Sequence, residues 1–173
     1  MIAYKFLDLA GKGRFSGFVW IRPAPGSTGA WVEAEPVLCA SGIHACRARD
    51  LPFWFDTELW RIELDGPIVE ANRKVIAGRG RLVGRVVSWD EAAARDFSTE
   101  CADRACSLAG GSEALSGYVA DALANVESGL VATVAYIAAR IAELVGGVAG
   151  YEAERATQVR WLADRLGLDA GGR

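Results

Sequence analysis

The sequence predicts an α+β protein: a mostly antiparallel N-terminal β-sheet followed by a C-terminal α-helical half packed on it. Two observations carry the prediction. Apolar residues come in short, turn-punctuated, β-rich runs up to about Val87, and from Ser88 onward the apolar spacing lengthens to the 3.6-residue period of a helix. The organisation expected is a β-rich region over 1–87 that carries a Cys/His loop, a helical region over 88–168, and a disordered tail over 169–173.

The elements follow in order. Ile2 to Leu7 and Phe15 to Ile21 read as strands separated by Gly11-Lys12-Gly13, and Pro23-Ala24-Pro25-Gly26 stops the second. Trp31 to Leu38 and Ser41 to Cys46 read as further extended pieces. In Glu58 to Leu64 the residues Trp60, Ile62 and Leu64 alternate with Leu59, Arg61 and Glu63, and Asp65-Gly66-Pro67 should end the strand. Val75 to Val87 is a long strand whose Gly78, Gly80 and Gly84 point to a bulge, a bend or a close backbone approach. Ser88 and Glu91 match a capping box, so a helix should run from about Trp89 to Leu108 and stop at Gly110-Gly111. A second helix is expected over about 114–126. A third, over 130–145, places Leu130, Val134, Ile137, Ala138, Ile141 and Val145 on one stripe and ends at Gly146-Gly147. A last helix covers about 151–166, with Trp161, Leu162 and Leu166 on its apolar side.

Composition bounds the class. The chain has 173 residues, 51% of them hydrophobic and 24% charged, with a net charge of −3; it reads as a folded globular protein without the basic bias of a nucleic-acid binder. The N-terminus shows no basic region followed by a long apolar run, so a cytoplasmic setting with reduced thiols is expected. Gly129 to Gly150 is apolar, but Arg140 and Glu143 fall near its middle, where charge is costly in lipid; a bundle helix and no membrane span is the expectation. The many alanines offer room for a homodimer.

Chemistry, if there is any, should centre on 38–46. This stretch holds the only histidine, His44, and two of the four cysteines, Cys39 and Cys46. Histidine changes charge near neutral pH, and a neighbouring thiol can be made reactive. In an extended segment His44 and Cys46 share a face with α-carbons roughly 6.6 Å apart, so either a Cys/His pair or His44 acting alone as acid and base is compatible with the spacing. Burial of the cysteines as small core residues, with His44 merely bonded to its own loop, fits as well. Zinc does not fit: Cys101 and Cys106, five apart on a helix, point about 140° away from each other. No organic cofactor motif is present, and Gly78 to Gly84 lacks the ending of a phosphate loop. Trp31, Phe53, Trp54 and Trp60 could wall a pocket or plug a sheet, and Arg79 and Arg81 belong to a basic run that could hold an anion or pair with carboxylates.

The run Leu38-Cys39-x-x-Gly42-Ile43-His44-Ala45-Cys46, preceded by Tyr4-Lys5-Phe6 and followed by a strand ending at Gly66, resembles a Leu-Cys-x-x-Gly-x-His-x-Cys signature of bacterial and phage proteins of uncharacterised activity. The resemblance covers 1–87 and implies an α+β fold with an important histidine loop. A more distant similarity, to ADP-ribosyltransferases, lies in the split sheet. Here Tyr4-Lys5 replaces that family's arginine, no Ser-Thr-Ser occurs, and Glu70 is a loose candidate for the catalytic acid. The alanine-rich half is similar in texture to helical halves of bacterial immunity proteins.

The function expected is therefore a small cytoplasmic enzyme acting on a small molecule, with His44 as acid or base, Cys46 or Cys39 assisting, and Trp31, Trp54, Trp60, Phe53, Arg79 and Arg81 contacting substrate. The alternatives are a non-catalytic toxin-antitoxin, immunity or defence component that binds through its helical half, and an ADP-ribosyltransferase-like enzyme. An open pocket at His44 favours the enzyme; a sealed loop and an exposed apolar helix face favour the binder.

Overall fold

The computed structural model describes residues 1–14, 17–38 and 40–168, and it is α+β, with an antiparallel sheet followed by helices. Two units result: one comprises Met1–Trp89 joined by Leu168, the other Asp90–Gly167.

The first unit holds β1 (Ile2–Leu7), β2 (Val32–Glu33), β3 (Ile43–Ala45), β4 (Glu58–Ala71) and β5 (Lys74–Arg85). Every pairing is antiparallel: β1 on β4, β4 on β5, and both β3 and β2 on β5. The pairing then returns to its start, because Tyr4 N–H donates to Cys46 O at 2.8 Å and Cys46 N–H donates to Tyr4 O at 2.8 Å. The sheet thus curls back on itself through the order β1, β4, β5, β3.

What lets it curl lies in β4. The strand does not stop at Asp65-Gly66-Pro67 as its composition suggested; it shifts register between Asp65 and Ile68 and continues to Ala71. Gly66 takes a φ of 75°, which a glycine adopts without steric cost, so the proline and glycine make a bulge within the strand rather than its end. At the hairpin tip, Trp54 Nε1–H donates to Arg73 O at 2.7 Å, and the Arg73 guanidinium lies 3.9 Å over the Phe53 ring.

Strand alternation places Ala3, Leu7, Ile43, Ala45, Trp60, Ile62, Leu64, Val75 and Ala77 on one face, where they form a single buried cluster with Trp20 and Leu82. Each fully buried Leu or Ile of this set contributes roughly 1.5–3 kcal/mol. Gly80 is required here for close approach: a Cβ would lie 2.7 Å from Ile43 Cγ2. On the opposite face Phe6 meets Trp89 and Phe55, and Trp89 stacks on Phe55 with ring centroids 5.4 Å apart. Two expected strands are shortened. Of the 31–38 run Val32–Glu33 forms the strand, with Ala34 N–H donating to Gly78 O just beyond it, and of the 15–21 run, whose Phe15 lies outside the described residues with Ser16, the described residues form the single bridge Lys12 to Val19. Gly17 and the nearby prolines leave these stretches short of the continuous N–H donors and side chains a strand needs.

The second unit contains α1 (Glu91–Ala109), α2 (Ser116–Glu127) and α3 (Val131–Leu166). The cap of α1 is Asp90, whose Oδ1 accepts from Ala93 N–H at 2.8 Å, and not Ser88. Aspartate and serine both serve as N-caps, and Trp89 stays outside the helix with its indole N–H on Asp56 O. Gly110 ends α1 in the left-handed conformation. In α3 the backbone leaves helical geometry at Gly147. The two segments fold against each other: Gln158 Nε2 donates to Ala135 O, and Gly150 stands so near the Ala142 carbonyl that a Cβ there would collide with it. Glu154 accepts two bonds from Arg104 of α1 and one from Gln158, so a buried ionic cluster joins α1 to α3.

Of the expected stripe, Val134, Ile137, Ala138 and Ile141 are buried, whereas Leu130 and Val145 are exposed. By length and composition α3 could cross a membrane; the backbone break at Gly147 divides it into two helical segments. Residues 169–173, expected to be a disordered tail, lie outside the described residues.

Candidate functional site

The histidine loop is a tight turn that delivers β3. Ser41 N–H and Ala40 N–H both donate to Val37 O, and Gly42 then takes a φ of 108° that swings the chain into the sheet. A Cβ at Gly42 would lie 2.5 Å from Ile76 Cγ2 and 3.0 Å from Pro36 Cα, so this position is closed to other residues on two counts. Ile43 and Ala45 enter the core, and His44, opposite Ile76 of β5, turns to the other side. Its Nε2 lies 3.3 Å from Ser41 O. A carbonyl only accepts, so in this bond Nε2 carries the proton and Nδ1 holds the lone pair.

Beside the loop lies a cavity of about 570 Å³, lined by residues of β1, β2 and β3 together with Gly13, Arg14, Phe18, Trp20 and the 40–42 segment, and including Trp54 and Lys74. The size is that of a small-molecule site. Apolar walls come from Phe18, Trp20, Val32, Ala34 and Trp54; the polar groups that converge on them are His44, Ser41, Lys5, Arg14 and Lys74, with Glu33 the one carboxylate among the described lining residues.

Burial is the main reason the imidazole of His44 titrates below its ordinary value; the positive charges of Lys74 and Lys5 act in the same direction, and the bond to Ser41 opposes them. His44 is therefore neutral at pH 7 and able to take a proton. Cys46 is different. It lines the cavity but is buried, and burial pushes its thiol far up, with the Asp50 charge adding to the effect. A thiol so held stays protonated and does not attack. Cys39 lies outside the described residues.

The remaining sequence candidates separate. Trp54 lines the cavity. Trp60 is in the core, its indole N–H bonded to Glu58 Oε2 at 3.1 Å. Phe53 supports the hairpin tip, and the guanidinium groups of Arg79 and Arg81 lie 4.2 and 4.6 Å from the ring centroid of Trp31, which is not among the residues lining the cavity. Arg81 also pairs with Glu63 at 2.7 Å, so the basic run serves strand-to-strand pairing. Glu70 pairs with Arg47 and does not line the cavity. No group of three or more potential metal ligands occurs among the described residues.

Sequence reasoning missed Lys5. It sits on the inward face of β1 between Ala3 and Leu7, is 9% exposed, and donates from Nζ to His44 O at 2.7 Å. The Trp20 ring lies 5.2 Å from Nζ. Burial lowers the ammonium to about 8, partly opposed by the nearby Cys46. The signal was present in the alternation Ala3-Lys5-Leu7, in which a lysine occupies a core-facing position.

No family model, curated protein or solved structure matches the chain.

Proposed function

We propose that the protein is an enzyme acting on a small molecule held in the cavity, with His44 as the acid/base group and without an organic cofactor. The observation that supports this reading is the cavity itself: it takes in the only imidazole of the chain, held neutral at pH 7, among aromatic walls and convergent cationic groups. His44 acts alone in this reading, since the Cys46 thiol is too strongly held in its protonated form to assist. The free thiols Cys46, Cys101 and Cys106 accord with a reducing, cytoplasmic compartment.

The interaction-protein reading has one observation in its favour: Tyr136, Leu144, Val145 and Val148 of α3 are exposed. It leaves the cavity without a purpose, and we rank it second.

The test incubates purified protein with the small-molecule fraction of a cell extract and follows it by mass spectrometry. The wild type is expected to consume a compound, and His44→Ala to slow that consumption by about 10²–10⁴-fold while keeping the wild-type circular dichroism. An extract left unchanged by the wild type, or changed equally fast by His44→Ala, would contradict the reading.

A further inference from the structure

We propose that Lys5 is a covalent residue of this site: its Nζ forms an imine with a small aldehyde or ketone that bears a carboxylate. The inference rests on the cavity being the substrate site and names the class of substrate it takes.

Lys5 shares its face of the sheet with one other buried charge, Glu58, whose carboxylate is taken by Arg22 and Arg85, so an amine without such a partner is an expensive choice there. Among the described residues it has no carboxylate partner; its contacts are the backbone oxygen of His44 and the face of Trp20. An ammonium taken out of water without a counter-ion costs several kcal/mol by general experience, and a methionine would fill the same space without that cost. A structural role therefore does not account for the amine. A reactive role does, because a desolvated lysine in an apolar pocket is the form that attacks carbonyl carbon. At pH 7 about one amine in ten is neutral when it titrates near 8, against fewer than roughly one in a thousand for an ordinary lysine. One N–H of that neutral amine is held by His44 O, which leaves the lone pair available to the cavity.

The rest of the lining identifies the other end of the ligand. Three cationic side chains, Lys5, Arg14 and Lys74, face one carboxylate, Glu33, whose Oε1 is 3.8 Å from Arg79 Nε. The balance favours an anionic group, and Phe18, Trp20 and Trp54 favour a flat or apolar body. In the step itself the Nζ lone pair adds to the carbonyl carbon and the C=O pair moves to oxygen, which takes a proton. The resulting carbinolamine then expels that oxygen as water while the nitrogen gives up its proton, leaving a C=N bond. Amine and carbonyl go to imine and water, with no change of oxidation state. The imidazole of His44 turns to the other side of β3 from the amine, so solvent in the cavity, and not a direct contact with the ring, carries the proton in this step.

The chain has only three lysines, Lys5, Lys12 and Lys74, which makes the test direct. The full-length protein is treated with 4-formylbenzoate and sodium cyanoborohydride, which reduces an imine to a stable secondary amine, and the adduct is located by peptide mass mapping. One adduct per chain is expected, on Lys5, forming about tenfold faster than with benzaldehyde, which lacks the carboxylate. Its rate should rise with pH to half its limit near 8, and Lys5→Met should abolish it. Adducts spread over Lys12, Lys74 and the N-terminal amine, with Lys5 unmodified, would overturn the inference; this mapping is made on the wild type, so it decides even if Lys5→Met fails to fold. The outcome is separable from the turnover test above. A wild type that consumes a compound but leaves Lys5 unlabelled overturns only the imine, whereas labelled Lys5 without turnover overturns only the enzymatic reading.

Discussion

Replacing Gly42 by alanine is expected to lower stability by about 3 kcal/mol and to displace the histidine loop. The backbone at 42 has a φ of 108°, and its two closest neighbours are Ile76 Cγ2 and Pro36 Cα at 2.5 and 3.0 Å from a built Cβ. Neither can give way easily. Ile76 is fully buried in the middle of the sheet, and the Pro36 atom is main chain. The conformational strain alone is worth about 1–2 kcal/mol and the overpacking about 1–3. Gly26 separates the two effects, since it has a φ of 79° but nothing near its Cβ position. Gly26→Ala should cost only about 1 kcal/mol. Urea unfolding of both variants makes the comparison. Equal and small losses would show that the close approach of 42 to Ile76 does not hold the loop.

In the helical unit the largest effect is expected from Ile137→Asp, a loss of about 3 kcal/mol or more. Ile137 is 8% exposed and shares a buried stripe with Val134, Ala138 and Ile141, where a carboxylate would be desolvated among apolar groups. Val145, on the same stripe but 54% exposed, provides the control. Val145→Asp should stay within about 0.5 kcal/mol of wild type. Thermal or urea unfolding that finds Ile137→Asp near wild-type stability would place residue 137 on the surface and advance the interaction-protein reading.

The parts of the fold legible in the sequence were those with a strong local signal. The alternation at the start of β4, the stop at Gly110 and the break at Gly146-Gly147 depend on neighbours within a few positions. What the sequence hid depends on distant partners. Gly66-Pro67 has the composition of a turn, yet Gly78 lies opposite, where a Cβ would be 3.1 Å from Pro67 Cδ, and β5 holds the strand together across the bulge. Trp31 looked like a pocket wall because nothing local tells that Arg79 and Arg81 of β5 will pack on its ring. In the site, His44 was visible as the only imidazole. Lys5 was overlooked because a strand lysine ordinarily faces water, although its alternation with Ala3 and Leu7 marked its side of β1 as the inside.

The claim on which this account turns is that His44 is a neutral imidazole open to a small-molecule cavity, and its ring can be observed directly. As the only histidine of the chain it gives unambiguous ¹⁵N and ¹H ring signals in NMR. Burial and the charges of Lys74 and Lys5 should put its titration midpoint below the ordinary 6.5, so that the protonated ring is disfavoured in the folded chain and acidification through that range favours unfolding. Addition of 4-formylbenzoate at pH 7 should shift the ring signals in a saturable way. A midpoint at or above 6.5, together with ring signals unmoved by the probe, would contradict the account.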